Sequence, residues 1–454
     1  MVKYDPKQGK LCSFYDALPQ FFSGNDNPRS FLERCLKIIS EKEPLVQAFV
    51  TMDQEKARAL ADLSTQRYFD GHPLSPIDGM PFAVKDLFQT TDFPTELNSP
   101  LLKGTRHKFD AACVYALKKR GAILIGKTTL PELGSGTPSS TKNPFDLARS
   151  PGGSSSGTAA AIGAGMLPLA IGNQGRGSIL RPASFCGNFA LKPTFGALHS
   201  GGMLWRSPSY SVLGIHSSNL IDCWRSAYQI AETVGGDPGY PGLYGEPDLK
   251  TEKPNQLIRL ETAGWITTEK PIKKKFEEFI QKLRENGVKI LSRYDNKAID
   301  NFEFFLTTLP DFQSRLSAWE IQWPALLLRD KGGNQIEREL KDRFEVAESM
   351  SLNDYRETLS SLRKIREAFE KLNGLSDGFI TLSTPTMAPL GDNTGSSVFG
   401  DPSSCLEAPA WNLPLLEDRG LPMGIQLLGN KHQDYTLGNI GLWMTETFLT
   451  KEKE

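Results

Sequence analysis

Three residues in this sequence combine a reactive side chain with surroundings that would put it to use. Lys85 follows the apolar run Phe82-Ala83-Val84, which places it at the exit of a short buried strand. Burial there disfavours the ammonium form, lowers the pKa and leaves a neutral amine able to act as a general base toward a hydroxyl. Ser154 lies in the small-residue loop Gly152-Gly153-Ser154-Ser155-Ser156-Gly157. Ser178 closes a second one, Gly172-Asn173-Gln174-Gly175-Arg176-Gly177-Ser178. The loops flank an apolar run, Ala159 to Ile171, which a flexible linker would lack. Folding that run into a core brings Ser154 and Ser178 together. Beside Ser178, the consecutive N–H groups of Gly175, Arg176 and Gly177 can face a developing oxyanion, and losing one such donor costs about 3 kcal/mol.

Each feature also has a plainer reading. Most lysines are solvated surface charges, and a glycine-rich stretch before Pro182 can be a turn and nothing more. Gly153-Ser154-Ser155-Ser156-Gly157 also fits G-x-S-x-G, the nucleophile elbow, with Ser155 at its centre. That elbow needs a preceding strand, whereas Asn143 to Pro151 carries turn signals. It also needs a histidine base, and the chain has His72, His107, His199, His216 and His432 to offer. A phosphate cradle is a third reading, but no G-x-x-x-x-G-K-[ST] occurs and no lysine follows Gly157.

The elements that must hold these residues follow from periodicity. Pro28 to Ile39 has a helical face of Phe31, Leu32, Cys35, Leu36 and Ile39, and Asp53 to Phe69 a second, with Ala57, Leu60, Ala61 and Leu63 inward. The strand at 82–85, a helix over Asp110 to Arg120 and a strand over Ala122 to Lys127 alternate as in an α/β fold with a partly parallel sheet. Asn219 to Val234 reads as an amphipathic helix, and 252–371 as a charged, helical region. Phe379 to Leu382 and Gly424 to Gly429 read as strands, and Asp434 to Thr450 as a closing helix. No linker or repeat divides the 454 residues, so a single domain over 1–454 is expected, with an N-terminal helical segment at about 28–68 and a variable charged part at about 252–371.

Composition narrows the class of function. Apolar residues make up 39% and charged ones 23%, and the net charge of −1 gives no field favouring nucleic acid or an anionic membrane. The most apolar stretch, 159–171, is too short and too broken by glycine and proline to span a bilayer. Six scattered cysteines, with no CxxC pair, argue against a disulfide framework or a cysteine zinc site and fit a reducing compartment. The N-terminus has no apolar signal-peptide core, and a cytoplasmic location is expected.

Several long motifs, in order from about Phe31 to the last helix, resemble the amidase signature family. They are PFAVKDLF around Lys85, NPFDLARSPGGSSSGTAAAIGAGMLPLAIG, SILRPASFCGNFALKPTFG from Ser178, and the closing pair PAWNLP and GLPMGIQL. The resemblance implies a large mixed β-sheet sandwiched between α-helices and no metal or organic cofactor. It implies a triad in which Ser178 is the nucleophile, Ser154, on a cis peptide, relays protons, and Lys85 is the base. Ser155 would give support from behind, and a helix from Thr158 would point its N-terminus at the serines. The implied activity is hydrolysis of a small, non-peptide linear amide or carbamate by water, with neither nucleic acid nor membrane as partner, in a monomer or homodimer. Two alternatives stand beside it: the glutamine-hydrolysing subunit of a tRNA-dependent amidotransferase, and a catalytically silent binding protein. The sequence departs from the family pattern at Asn173-Gln174, Ser156, Gly175 and above all Arg176, which replaces a glycine. Its guanidinium is expected either to reach a substrate carboxylate or carbonyl at the pocket edge, or to pair with a structural acid. Its neighbours Gly175 and Gly177 would take up any backbone strain.

Overall fold

Eleven strands form the frame: β1 (Phe49–Met52), β2 (Pro81–Lys85), β3 (Ile123–Thr128), β4 (Leu169–Gln174), β5 (Phe189–Lys192), β6 (Val212–Ser217), β7 (Gln256–Arg259), β8 (Lys289–Leu291), β9 (Gly378–Leu382), β10 (Ala410–Asp418) and β11 (Leu421–Leu428). In this computed structural model, which describes residues 3–7, 12–134, 138–204, 207–332 and 338–449, they make one mixed sheet in the order β1-β3-β2-β4-β6-β5-β10-β11-β9-β7-β8. β2 runs parallel to both β3 and β4, while β4–β6–β5–β10–β11–β9 is antiparallel throughout. Every residue of β2, β3, β4 and β6 is buried. Strands buried on both faces need cover on both, which explains their continuous apolar runs in place of alternation. The cover is helical, so the fold is α/β with its sheet between helices.

The helices are α1 (Phe14–Phe22), α2 (Pro28–Val46), α3 (Gln54–Phe69), α4 (Ala112–Lys119), α5 (Ser156–Gly163), α6 (Leu180–Cys186), α7 (Leu220–Val234), α8 (Gly264–Thr267), α9 (Lys270–Glu285), α10 (Lys297–Leu306), α11 (Leu309–Gly332), α12 (Arg338–Ser349), α13 (Leu352–Glu370), α14 (Asp401–Cys405) and α15 (Asp434–Leu449). Their starts are written in the sequence. Asn27, Asp53 and Asn219 each accept a bond from the backbone N–H three residues on, capping α2, α3 and α7. α9 turns Lys270, Lys274, Glu278, Lys282 and Glu285 to solvent and buries Ile272, Phe276, Phe279, Ile280 and Leu283. None of the described helices is long and apolar enough to cross a membrane.

Some expectations are corrected. Leu63 lies outward, 59% exposed, and Ser64 takes the buried position beside Asp78. The charged region 252–371 is not helical throughout: β7 and β8 extend the sheet inside it, each too short to show a period of its own. Ala410 to Asp418, whose first residues belong to the PAWNLP motif, forms the longest strand. Thr450, at the expected end of the last helix, lies outside the described residues.

Candidate active site

β2 and β4 are adjacent and parallel, so their carboxyl ends open on the same edge of the sheet, where α/β folds place ligands. Lys85 is the last residue of β2, and Ser178 stands between the end of β4 and the start of α6. Ser154 sits two residues before α5, and the Gly153–Ser154 peptide bond is cis. Lys85 Nζ lies 2.7 Å from Ser154 Oγ, and Ser154 Oγ donates to Ser178 Oγ at 3.0 Å. The three side chains form a continuous hydrogen-bonded line from amine to outermost hydroxyl. Lys85 and Ser154 are buried and Ser178 half-buried at the open end.

The electrostatics favour a neutral amine. Burial pushes the pKa of Lys85 well below the usual lysine range, and the positive charge of Arg181 pushes the same way. Lys85 Nζ also donates to Asn173 Oδ1, at 2.7 Å. Arg181 holds the loop of Ser154, donating from Nε to the Gly153 carbonyl at 3.1 Å and from Nη2 to the same oxygen, and from Nη1 to the Gly395 carbonyl at 2.7 Å. Its own pKa is pushed down to about 10, by burial first and by Arg176 second.

Ser155 is fully buried and donates to the Asn173 carbonyl at 3.3 Å. No strand leads into it, and an unexposed hydroxyl behind the loop cannot meet a substrate, so the elbow reading fails. His216 is sealed within the sheet with neither ring nitrogen bonded among the described residues, and burial holds its pKa near about 3. Gln174, at the end of β4, accepts from the N–H groups of Ile179 and Leu180 at 3.0 and 3.1 Å and donates to Ser403 and Ser404. It caps the turn carrying Ser178. The amides of Arg176, Gly177 and Ser178 donate to no described residue.

None of Gly175, Arg176 and Gly177 has a positive φ, so the expected strain is not there. Gly177 is small for another reason: a Cβ would come 3.1 Å from Ser397 Cα. The Arg176 guanidinium is engaged by Asp401, with Nη2 to Oδ2 at 3.0 Å and Nε to Oδ1 at 3.2 Å, and also by Gln313 and Ser314. Of the two expectations for this residue, the geometry realises the pairing with a buried acid. A cavity of about 530 Å³ opens above Ser154 and Ser178. Its described lining includes Arg176, Arg181 and Arg343 but no aspartate or glutamate. No group of three His, Cys, Asp or Glu suited to a metal ion occurs among the described residues.

A family profile described as Amidase matches residues 30–437. The chain belongs to the Amidase family. Its sheet and helices are this family's fold. The A subunit of glutamyl-tRNA(Gln) amidotransferase from Leptospira interrogans is 38% identical over 217 residues, 46% of this chain and 45% of that protein, so the match spans about half of each. The corresponding amidotransferase subunit from Chloroflexus aggregans is 28% identical over 447 residues, 90% of this chain and 91% of that one. Among solved structures, a crystal structure of an amidase superposes with a TM-score of 0.83 at 22% identity, covering 96% of this chain and all of the other. Peptide amidase from Stenotrophomonas maltophilia gives 0.79 at 19%, covering 97% of each.

Sequence reasoning gave no role to Asn173, Arg181, Gln313 or Asp401. Arg181 and Asn173 stand inside or beside the family-like motifs, three residues after and five before Ser178, and the spacing was the available signal. Gln313 and Asp401 lie 137 and 225 residues from Arg176, and nothing local points to them.

Proposed function

We propose that this amidase hydrolyses a small, linear, non-peptide amide or carbamate through an acyl-enzyme on Ser178. The observation that carries the reading is the hydrogen-bonded line Lys85–Ser154–Ser178 ending at the cavity. Ser178 Oγ attacks the carbonyl carbon as its proton passes to Ser154 and the Ser154 proton to Lys85. The carbonyl oxygen becomes an oxyanion facing the amides of Arg176, Gly177 and Ser178. The C–N bond then breaks, and the proton held on Lys85 returns through Ser154 to the departing nitrogen. Water attacks the acyl-Ser178 ester by the same relay, releasing the acid and restoring the hydroxyl.

A second reading, hydrolysis of glutamine for an amidotransferase assembly, is favoured by the match to the Chloroflexus aggregans amidotransferase subunit over 90% of this chain. One experiment separates the two from a silent binding protein. Purified protein is offered free glutamine and matched amides and carbamates with and without a carboxylate, and is labelled with a fluorophosphonate, with Ser178→Ala as control. Turnover of an amide or carbamate, lost together with labelling in Ser178→Ala, is the expected result. Turnover of glutamine alone, with a second subunit co-purifying, selects the second reading. Labelling that persists in Ser178→Ala overturns both.

A further inference from the structure

We propose that Arg176 is a positioning residue for the oxyanion amides, fixing the peptide planes that precede Ser178 by tying them to α11 and α14. The inference rests on the reading of Ser178 as the acyl nucleophile and concerns the one loop residue whose type is most particular to this chain.

Two carbonyls of the loop are anchored. Gly175 O accepts from Gln313 Nε2 at 3.2 Å, and Arg176 O accepts from Ser404 Oγ at 3.1 Å. In a trans peptide the N–H points opposite to the C=O of the preceding residue. Anchoring Gly175 O therefore aims the Arg176 N–H, and anchoring Arg176 O aims the Gly177 N–H. Both carbonyls are held on the side where α11 packs on α14, so both amides are sent to the other side. Those amides have no partner among the described residues, and the loop itself lines the cavity.

The Arg176 side chain locks the anchors in place. Gln313 is fully buried and serves both parts of the loop: its Nε2 holds Gly175 O while its Oε1 accepts from Arg176 Nε at 3.2 Å. The same guanidinium forks onto Asp401, which is 1% exposed and opens α14, the helix that carries Ser404. A planar fork suits this task because it engages a carboxylate through two nitrogens and keeps a direction for a third partner. The fit is close on that side as well, since a Cβ on Gly400 would lie 2.6 Å from Gly177 Cα and 2.7 Å from Arg176 O. α11 also supplies Ser317 and Ile321 to the cavity wall, so the brace joins the oxyanion loop to a helix facing the substrate.

The test is the rate at which a fluorophosphonate modifies Ser178, resolved into a maximal rate and a half-saturating concentration, for the wild type, Arg176→Gly, Arg176→Lys, Asp401→Asn and the double variant Arg176→Gly/Asp401→Asn. Each protein is checked for its thermal midpoint, and rates are expressed per folded molecule. Arg176→Gly should lower the maximal rate at least about tenfold, as misaligned oxyanion donors do, with half-saturation changed less than about threefold. Arg176→Lys should recover part of the loss. Asp401→Asn, which keeps the shape of the acid, should reproduce the defect even where Arg176→Gly folds poorly. The double variant should be no worse than Arg176→Gly, because groups in one network do not add. A maximal rate in Arg176→Gly and Asp401→Asn within about twofold of wild type overturns the proposal. So does a selective rise in half-saturation or KM for carboxylate-bearing substrates, which would make Arg176 a substrate contact. Failure of the underlying reading looks different, because the wild type would then not be labelled at Ser178 at all.

Discussion

At the scale of single residues, the proposed relay turns on the protonation of Lys85. Its folded pKa lies below the usual lysine value, by burial first and the Arg181 charge second, and the relay needs the neutral amine. The neutral fraction grows with pH, so kcat/KM should rise through an ionisation well under about 10.4 and then level off. An optimum on the acid side, fading above neutrality, would remove Lys85 from the role of base. Asn173 offers a sharper test, because its Oδ1 sits 2.7 Å from the amine. Asp at that position would place a negative charge there and favour the ammonium form. Asn173→Asp should therefore move the rising limb of the kcat/KM profile to higher pH by about a unit or more, while Asn173→Thr should leave it within a few tenths. A limb that stays put in Asn173→Asp would mean that another group titrates. That Ser154 and Ser178 would meet could be read from two small-residue loops around an apolar run, whereas the place of Lys85 beside them came from the resemblance to the amidase signature family. What faces the lysine from behind could not be read, because it depends on the register of β2 against β4, in which Val84 pairs with Ile171 and brings Asn173 level with the amine.

At the scale of elements, loop and helix are held by close contacts that only glycine permits. α5 starts two residues after Ser154 and runs against the exit of β3. A Cβ on Gly157 would overlap the Ala48 carbonyl oxygen and come 2.5 Å from Thr129 Oγ1. Gly157 N donates to the Thr129 carbonyl at 3.2 Å, so this turn of helix cannot slide away without losing that bond. Gly157→Ala should destabilise the protein by about 1–3 kcal/mol, measured as the denaturant midpoint. It should slow labelling of Ser178 as well, because the displaced helix start carries Ser154 with it. Full stability in Gly157→Ala would show that the contact yields easily. The same scale shows where sequence patterns inform and where they fail. α3 was legible because a capping Asp53 and sixteen residues of helical period agree. β7 and β8 were not, because four and three residues among charged helices carry no period that survives the window. Leu63 misled because polar Ser64 takes the inward position, bonded to Asp78 and set against Gly79.

At the scale of the whole molecule, the N-terminal helix α1 is joined to α7 by a buried carboxylate as well as by the apolar core. Asp222, in the first turn of α7, accepts from the backbone N–H groups of Phe14 and Tyr15 at 2.9 Å each and from Asn219 Nδ2 at 2.8 Å, tying the start of α1 to α7 across more than two hundred residues of chain. These donors favour the carboxylate, but burial outweighs them and pushes its pKa up to about 6. The folded value thus lies above an unfolded one of about 3.9, and between the two the folded state binds more protons than the unfolded chain. The contribution of Asp222 to stability is therefore complete below about pH 4 and is lost as pH rises through about 6. Its size, at 1.36 kcal/mol per unit, is roughly 3 kcal/mol. Other acids titrate in the same window, Glu303 among them with a pKa raised to about 7, so the absolute pH dependence is a sum. The difference between wild type and Asp222→Asn isolates the one group, since the amide cannot ionise. That difference in unfolding free energy should be largest near pH 4 and shrink by roughly 3 kcal/mol toward pH 7, while fluorophosphonate labelling of Ser178 remains at the wild-type rate in both. A difference that stays level across the window would mean that the bonds to Phe14 and Tyr15 hold the carboxylate ionised after all, and that the latch between α1 and α7 is a fixed charge.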